Sequence, residues 1–364
     1  MSTTLIAVKD LDAIAVGAAL YGTGGGGDPH IGKLLAQRSI REHGPVKLIT
    51  LDELADDDLL IAVAMIGAPT VMLERLAEVG PLIQAVRELE GKLGRKASAL
   101  FSGEVGGLNS VIPFSVATEL DLPLVDADTM GRAFPKLDMT LCALHGIRPA
   151  PLSLADERGN SLLMDTVDNQ QLERFVRAIT MEMGGSCYSA LYSMTVAQAR
   201  KCLVLGSISM THRTGKALFD ARAKHLDPVA ELVRVTGGHC LFKGKVTDLQ
   251  RTIDGRWSKG AATIAGLDEH EGQEATLQYQ NEFLMAQSGD RVLASTPDLI
   301  CTVDMETGEP ITAEQVRYGL RVAVLGLPCV PEWRTAAAID LVGPRAFGYD
   351  IDYQPVEQLT MDRT

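Results

Sequence analysis

The 364-residue chain carries 34 Lys and Arg against 47 Asp and Glu, a formal net charge of −13, and so has no electrostatic footprint for a nucleic-acid phosphate backbone. Hydrophobic residues make up 46% and charged residues 22%, a globular composition that excludes disorder, and no apolar run approaches the ~20 residues needed to span a bilayer. Aromatics are only 5%, while glycine reaches 35 residues, above the usual ~7%, so the core must be aliphatic and the glycines need a local cause.

The start, Met1-Ser-Thr-Thr-Leu-Ile-Ala-Val, lacks the basic flank, apolar region and cleavage site of a signal peptide. Residues 10–21 read as a helix ended by glycines. Asp28-Pro29 is an N-cap followed by proline at the first helical position, which opens a helix to His43 that Gly44-Pro45 stops. Val46–Thr50 and Leu59–Ile66 read as strands, 70–93 as one or two helices broken near Gly80-Pro81, Ser98–Phe101 as a strand, 107–120 as a helix and Leu124–Asp126 as a strand. This alternation predicts an α/β domain, a mostly parallel sheet covered by helices. Residues 169–182, 187–201 and 211–225 read as helices. From about 232 the period becomes two, at Cys240–Val246, Trp257–Ile264, Glu274–Phe283, Leu299–Asp304 and Val322–Leu325, with turns at Asp254-Gly255 and Glu306-Thr307-Gly308. The expectation is a β-rich barrel or sandwich with a few helices. Boundaries fall at 1–165, 166–353 and a tail, 354–364, the first being soft within 150–185.

The six cysteines, 142, 187, 202, 240, 301 and 329, form no C-x-x-C pair, a pattern of reduced thiols that points to the cytoplasm. The seven histidines show no ligand spacing, so a metal, zinc for example, would need distant Asp128, His30, His239 or cysteines.

Gly22-Thr-Gly-Gly-Gly-Gly-Asp28-Pro29-His30-Ile-Gly32-Lys33 partly matches two phosphate-binding templates. Leu34 replaces the Ser/Thr of a Walker A loop, and a helix precedes the glycines where both templates need a strand. Either Gly24, Gly25 and Gly26 turn tightly in packing, or they let backbone approach a ligand with Asp28 and His30 beside it. Ser102-Gly103-Glu104-Val-Gly-Gly-Leu-Asn109 follows a strand, at the edge where open α/β sheets bind ligands. There Glu104 can act as acid or base and Asn109 as a donor. In Val125-Asp126-Ala-Asp128-Thr-Met-Gly-Arg132-Ala-Phe-Pro135, spacing places both carboxylates on one side of extended backbone. Like charges that close raise one pKa, and Arg132 can clamp a carboxylate. Cys187 stands where a helix is expected to start, a position that favours thiolate. Cys240 follows Gly237-Gly238-His239 but enters a strand.

These three segments in order, together with Gly244-Lys-Val-Thr-Asp248, Ser295-Thr-Pro-Asp-Leu-Ile300, Glu306-Thr-Gly-Glu-Pro310 and Val342-Gly-Pro-Arg-Ala-Phe-Gly-Tyr-Asp350, resemble the S-methyl thiohydantoin desulfurase-like bacterial family, over about residues 8–353. Its members are associated with hydantoinase/oxoprolinase-type proteins. The resemblance implies an α/β N-terminal and a β-rich C-terminal domain, and a hydrolase that breaks a ring C–S bond, releasing methanethiol. On these residues Cys187 would attack the ring carbon, or Asp128 or Glu104, with Asp126 nearby, would activate water. Arg132, His30 and the glycine loop would bind ring oxygen or a substrate carboxylate. The alternatives are a metal-dependent cyclic-amide hydrolase and a non-catalytic partner of a hydantoinase/oxoprolinase subunit. A homo-oligomer is the base-rate expectation.

Overall fold

Leu59–Gly67 is apolar at every position except its last, the mark of a strand covered on both faces. In the computed structural model, which describes residues 4–67, 78–254 and 257–361, its odd residues Leu59, Ile61, Val63 and Met65 enter one core and its even residues Leu60, Ala62, Ala64 and Ile66 enter another. The strands in chain order are β1 (Thr4–Ile6), β2 (Val46–Ile49), β3 (Leu59–Gly67), β4 (Ala99–Ser102), β5 (Leu124–Val125), β6 (Ala127–Asp128), β7 (Leu152–Ala155), β8 (Ser161–Met164), β9 (Ser186–Thr195) and β10 (Val204–Leu205). Eight of them form one mixed sheet, β1-β2-β5-β4-β3-β9-β7-β8, in which β2, β5, β4 and β3 run parallel. Helices Leu11–Tyr21, Pro29–His43, Gly80–Leu93 and Ile112–Leu120 bury apolar faces in the first core, and Asn169–Glu182 and Val196–Cys202 in the second. Asp28 caps the Pro29 helix as its sequence requires, accepting from His30 N at 2.8 Å. The α/β expectation is met. Of the helix expected over 70–93, residues 70–77 lie outside the described residues, and Gly80–Leu93 is helical.

One expectation is corrected. Residues 187–201 do not form a helix from their start: Ser186–Thr195 is β9, pairing antiparallel with β3 and β7, and only Val196–Cys202 is helical. Both faces of β9 are buried, so it lacks the alternation that identifies a strand, and Thr195 and Gln198 form a capping box where the helix begins.

The second half holds one antiparallel sheet of eight strands: β11 (His239–Asp254), β12 (Trp257–Gly266), β13 (Glu274–Gln280), β14 (Glu282–Ser288), β15 (Arg291–Ser295), β16 (Leu299–Asp304), β17 (Pro310–Ile311) and β18 (Arg321–Leu327), in the order β15-β14-β13-β12-β11-β18-β16-β17. The expected strand Glu274–Phe283 is two strands, separated at Asn281, whose φ is 61°. The turn expected at Asp254-Gly255 includes Gly255, outside the described residues. The sheet curls so that β14 packs against β16, around Phe242, Ile264, Leu277, Tyr279, Phe283 and Ile300. Helix Ser207–Ala223 crosses Leu11–Tyr21 at two glycines, Gly17 and Gly215. No helix among the described residues is long and apolar enough to cross a membrane.

Candidate functional site

Beyond the carboxyl ends of β3 and β4, where parallel strands leave free space, lies a pocket with about 830 Å³ of empty space, its open mouth included. The end of β3 (Ala64–Gly67), the loop after β4 (Gly103, Glu104), Asn109, Phe134, Tyr192 of β9 and, from the second sheet, Asn281 and Glu282 line it.

Glu104 is set in place by Asn109. The Asn109 amide accepts from Met65 N (2.8 Å), donates to Met65 O (3.2 Å), and with the same nitrogen donates to Glu104 Oε1 at 2.8 Å. Glu104 keeps some solvent contact through the mouth but is otherwise enclosed. Loss of water raises its pKa to about 7, against the Asn109 bond, and the nearby Asp128 carboxylate pushes the same way.

Asp128 lies fully buried behind Glu104. Its Oδ2 accepts from Val105 N (2.9 Å), Met130 N (3.0 Å) and Gly131 N (2.8 Å), which ties the loop after β4 to the loop after β6. Burial raises its pKa to about 6 despite these three bonds. Its Oδ1 and the neighbouring buried Ser207 hydroxyl lie outside good hydrogen-bond geometry, and Ser207, the weakest of the influences on Asp128, favours its ionised form.

Glu282 was not visible as a site residue in the sequence. It is 3% exposed, with Oε2 unpartnered, and burial followed by the Glu104 charge pushes its pKa well above the usual carboxylate range. The signal was present: a carboxylate opens the apolar run Phe283–Ala286 just where alternation breaks at Asn281. Arg177, from helix Asn169–Glu182, also lines the pocket, held by Glu173 (2.7 Å) and Pro135 O (2.6 Å), and its charge favours ionised Glu104. Tyr192 donates to Leu137 O (2.7 Å) and bonds Thr140 Oγ1 (2.8 Å).

The glycine loop is the seam between the halves. Thr23 O accepts from Phe283 N (2.7 Å), Gly24 O from Ala313 N (2.9 Å) and Gly26 O from Leu108 N (2.9 Å). A Cβ on Gly25 would stand 2.1 Å from Glu282 Oε1, and one on Gly24 2.5 Å from the Phe283 ring. Gly26 and Gly27 themselves line the pocket. The loop therefore packs tightly at Gly24 and Gly25 and forms pocket wall at Gly26 and Gly27.

Several expected residues lie elsewhere. Asp126 does not share a site with Asp128: its carboxylate accepts from Ser209 N (3.0 Å) and Ser209 Oγ (2.5 Å) in the first turn of helix Ser207–Ala223. Asp28 is occupied at its helix cap and by Gln315 Nε2 (3.2 Å), and His30 is exposed. Arg132 is fully buried and is not among the pocket's lining residues. Cys187 is not at a helix start. It is a buried strand residue with Sγ 3.3 Å from Thr180 Oγ1, and burial drives its thiol up to about 11, opposite to the expected thiolate. Cys240 enters β11, half-buried. Among the described residues no three His, Cys, Asp or Glu side chains converge as a metal-ligand set.

A family model described as S-Me-THD-like, N-terminal domain, matches residues 9–166, and one described as S-Me-THD-like, C-terminal domain, matches residues 167–356. A crystal structure of a protein from Chromobacterium violaceum is similar over 97% of this chain and 100% of its own, with 27% identity and a TM-score of 0.82. No curated protein matches the chain.

Proposed function

The chain belongs to the S-Me-THD-like family, and from that premise we propose that its pocket hydrolyses the C–S bond of an S-methyl thiohydantoin or a related five-membered cyclic amide. The observation that carries this reading is Glu104: a carboxyl fixed by Asn109 in a concave pocket, with its pKa brought to about 7 beside a second lining carboxyl, Glu282. Two carboxyls whose surroundings separate their proton affinities form an acid–base pair.

In this mechanism Glu104 takes a proton from water as its oxygen attacks the ring carbon that bears sulfur, and protonated Glu282 gives its proton to the ring nitrogen. When the tetrahedral intermediate collapses, the C–S bond breaks with its electron pair going to sulfur. Glu104 then returns its proton to that sulfur, methanethiol leaves, and the hydroxyl proton restores Glu282 as the carbonyl forms. Asp128 holds the loop that carries Glu104. The activated-water route is favoured over attack by Cys187 because that thiol is buried outside the pocket lining and resists ionisation. A non-catalytic docking role would set these loops on a flat exposed face, whereas here they line a concavity.

The test is methanethiol release from an S-methyl thiohydantoin. Glu104→Gln should lose at least about 100-fold in kcat, in line with removal of a general base. Cys187→Ala should stay within a few-fold of wild type. No release by wild type would sink the reaction, and loss of release in Cys187→Ala would restore the cysteine route.

A further inference from the structure

Arg132 is the residue whose cost the fold explains least. Its guanidinium is fully buried, yet all its hydrogen bonds go to neutral groups: Ala133 O (3.1 Å), Pro297 O (2.6 Å), Asp298 O (3.0 Å) and Thr23 Oγ1 (3.1 Å). It also lies 4.2 Å from the centre of the Phe134 ring, a pocket wall. A buried charge without a counter-ion in contact is expensive, and its field is weakly screened.

That field falls first on Glu282, then on the thiols of Cys329 and Cys301, and last on Asp298. Glu282 in turn faces Glu104 and Glu314, Glu104 faces Asp128 and Arg177, and Glu314 faces Arg251 and Asp28. Glu282 thus stands among carboxylates on its other sides. There is a mechanical link as well: Arg132 holds Thr23, whose carbonyl accepts from Phe283 N, and the same loop passes Glu282 at Gly25.

We propose that Arg132 is a positioning residue which, held off by neutral partners, keeps the proton of Glu282 transferable while Glu104, beside Arg177, serves as the base. The role rests on the acid–base reading of the pocket. An acid whose conjugate base is left unsupported among carboxylates does not release its proton to the ring nitrogen. One buried positive charge at the seam supports the Glu282 carboxylate at the moment its proton has left.

The test is a carboxyl titration of the free protein with 13C-labelled glutamate side chains, for wild type, Arg132→Gln and Arg132→Lys, alongside the pH profile of methanethiol release. Removing the positive charge disfavours the Glu282 carboxylate, so Arg132→Gln should move the pair's second deprotonation, and the alkaline limb of the profile, to higher pH by about one unit, while the first stays within about half a unit. Arg132→Lys keeps the charge and loses the fork; it should titrate within about half a unit of wild type while unfolding at lower urea. A wild-type titration in Arg132→Gln overturns the proposal, and so does a uniform drop in kcat with unmoved limbs. Should Arg132→Gln fail to fold, a displacement of a full unit in Arg132→Lys overturns it instead. Because the titration needs no substrate, a protein that shifts as expected but releases no methanethiol refutes the reaction and leaves the positioning role standing.

Discussion

At Glu104 the proposed role as a base and the stability of the fold pull in opposite directions. Its pKa is raised from 4.5 to about 7 in the fold, so the native state holds a proton that the unfolded chain releases above pH ~4.5. Its contribution to stability is therefore full below that pH and is lost as pH rises through about 7. Glu104→Gln, which cannot ionise, should be more stable than wild type at pH 8 by on the order of 1–3 kcal/mol, a gap that closes near pH 4.5; urea unfolding at the two pH values checks this. Asp128→Asn tests the neighbouring charge. The amide oxygen can keep the three backbone bonds of Oδ2 while its NH2 takes the place of Oδ1. Without the negative charge Glu104 should ionise more easily, moving the acid limb of the pH profile down by up to about one unit. Glu104 and Asn109 were legible because they follow a strand in a glycine-rich loop. Arg132 and Asp126 share the same kind of loop, but whether a side chain turns toward a cavity, a helix end or the other half of the protein is decided by partners more than 80 positions away. Local spacing carries no record of that.

At the level of elements, helices with caps and strands flanked by turns followed from the residues. Asp28-Pro29 opened its helix, and Leu59–Gly67 could only be a covered strand. β9 was illegible for a physical reason: buried on both faces between β3 and β7, it shows no period of two, and small polar residues such as Ser189 satisfy themselves on a neighbouring carbonyl (2.8 Å to Ala64 O). Glycines separate packing from propensity. In a helix interior alanine is ordinarily favoured over glycine by about 1 kcal/mol. Gly91→Ala, with nothing within 4 Å of the new methyl, should gain about 0.5–1 kcal/mol. Gly215→Ala should lose about 2 kcal/mol or more, because its methyl would meet Ala13 O across the helix crossing. Urea midpoints of the two variants read the difference, and equal midpoints would mean that the helices separate without cost.

For the whole molecule, the layers were legible and their apposition was not. The period change near 232 announced the second sheet, yet nothing in it says that the turn between β13 and β14 reaches the carboxyl edge of the first sheet. That apposition is what places Glu282 beside Glu104, and the glycine loop, Arg132 and the Trp333 indole, which donates to Met130 O at 2.8 Å, all serve it. It also makes completion of the pocket lining a late event in the synthesis of the chain. Residue 282 is made long after residue 104, so a nascent chain carries an unfinished pocket until most of its length has emerged.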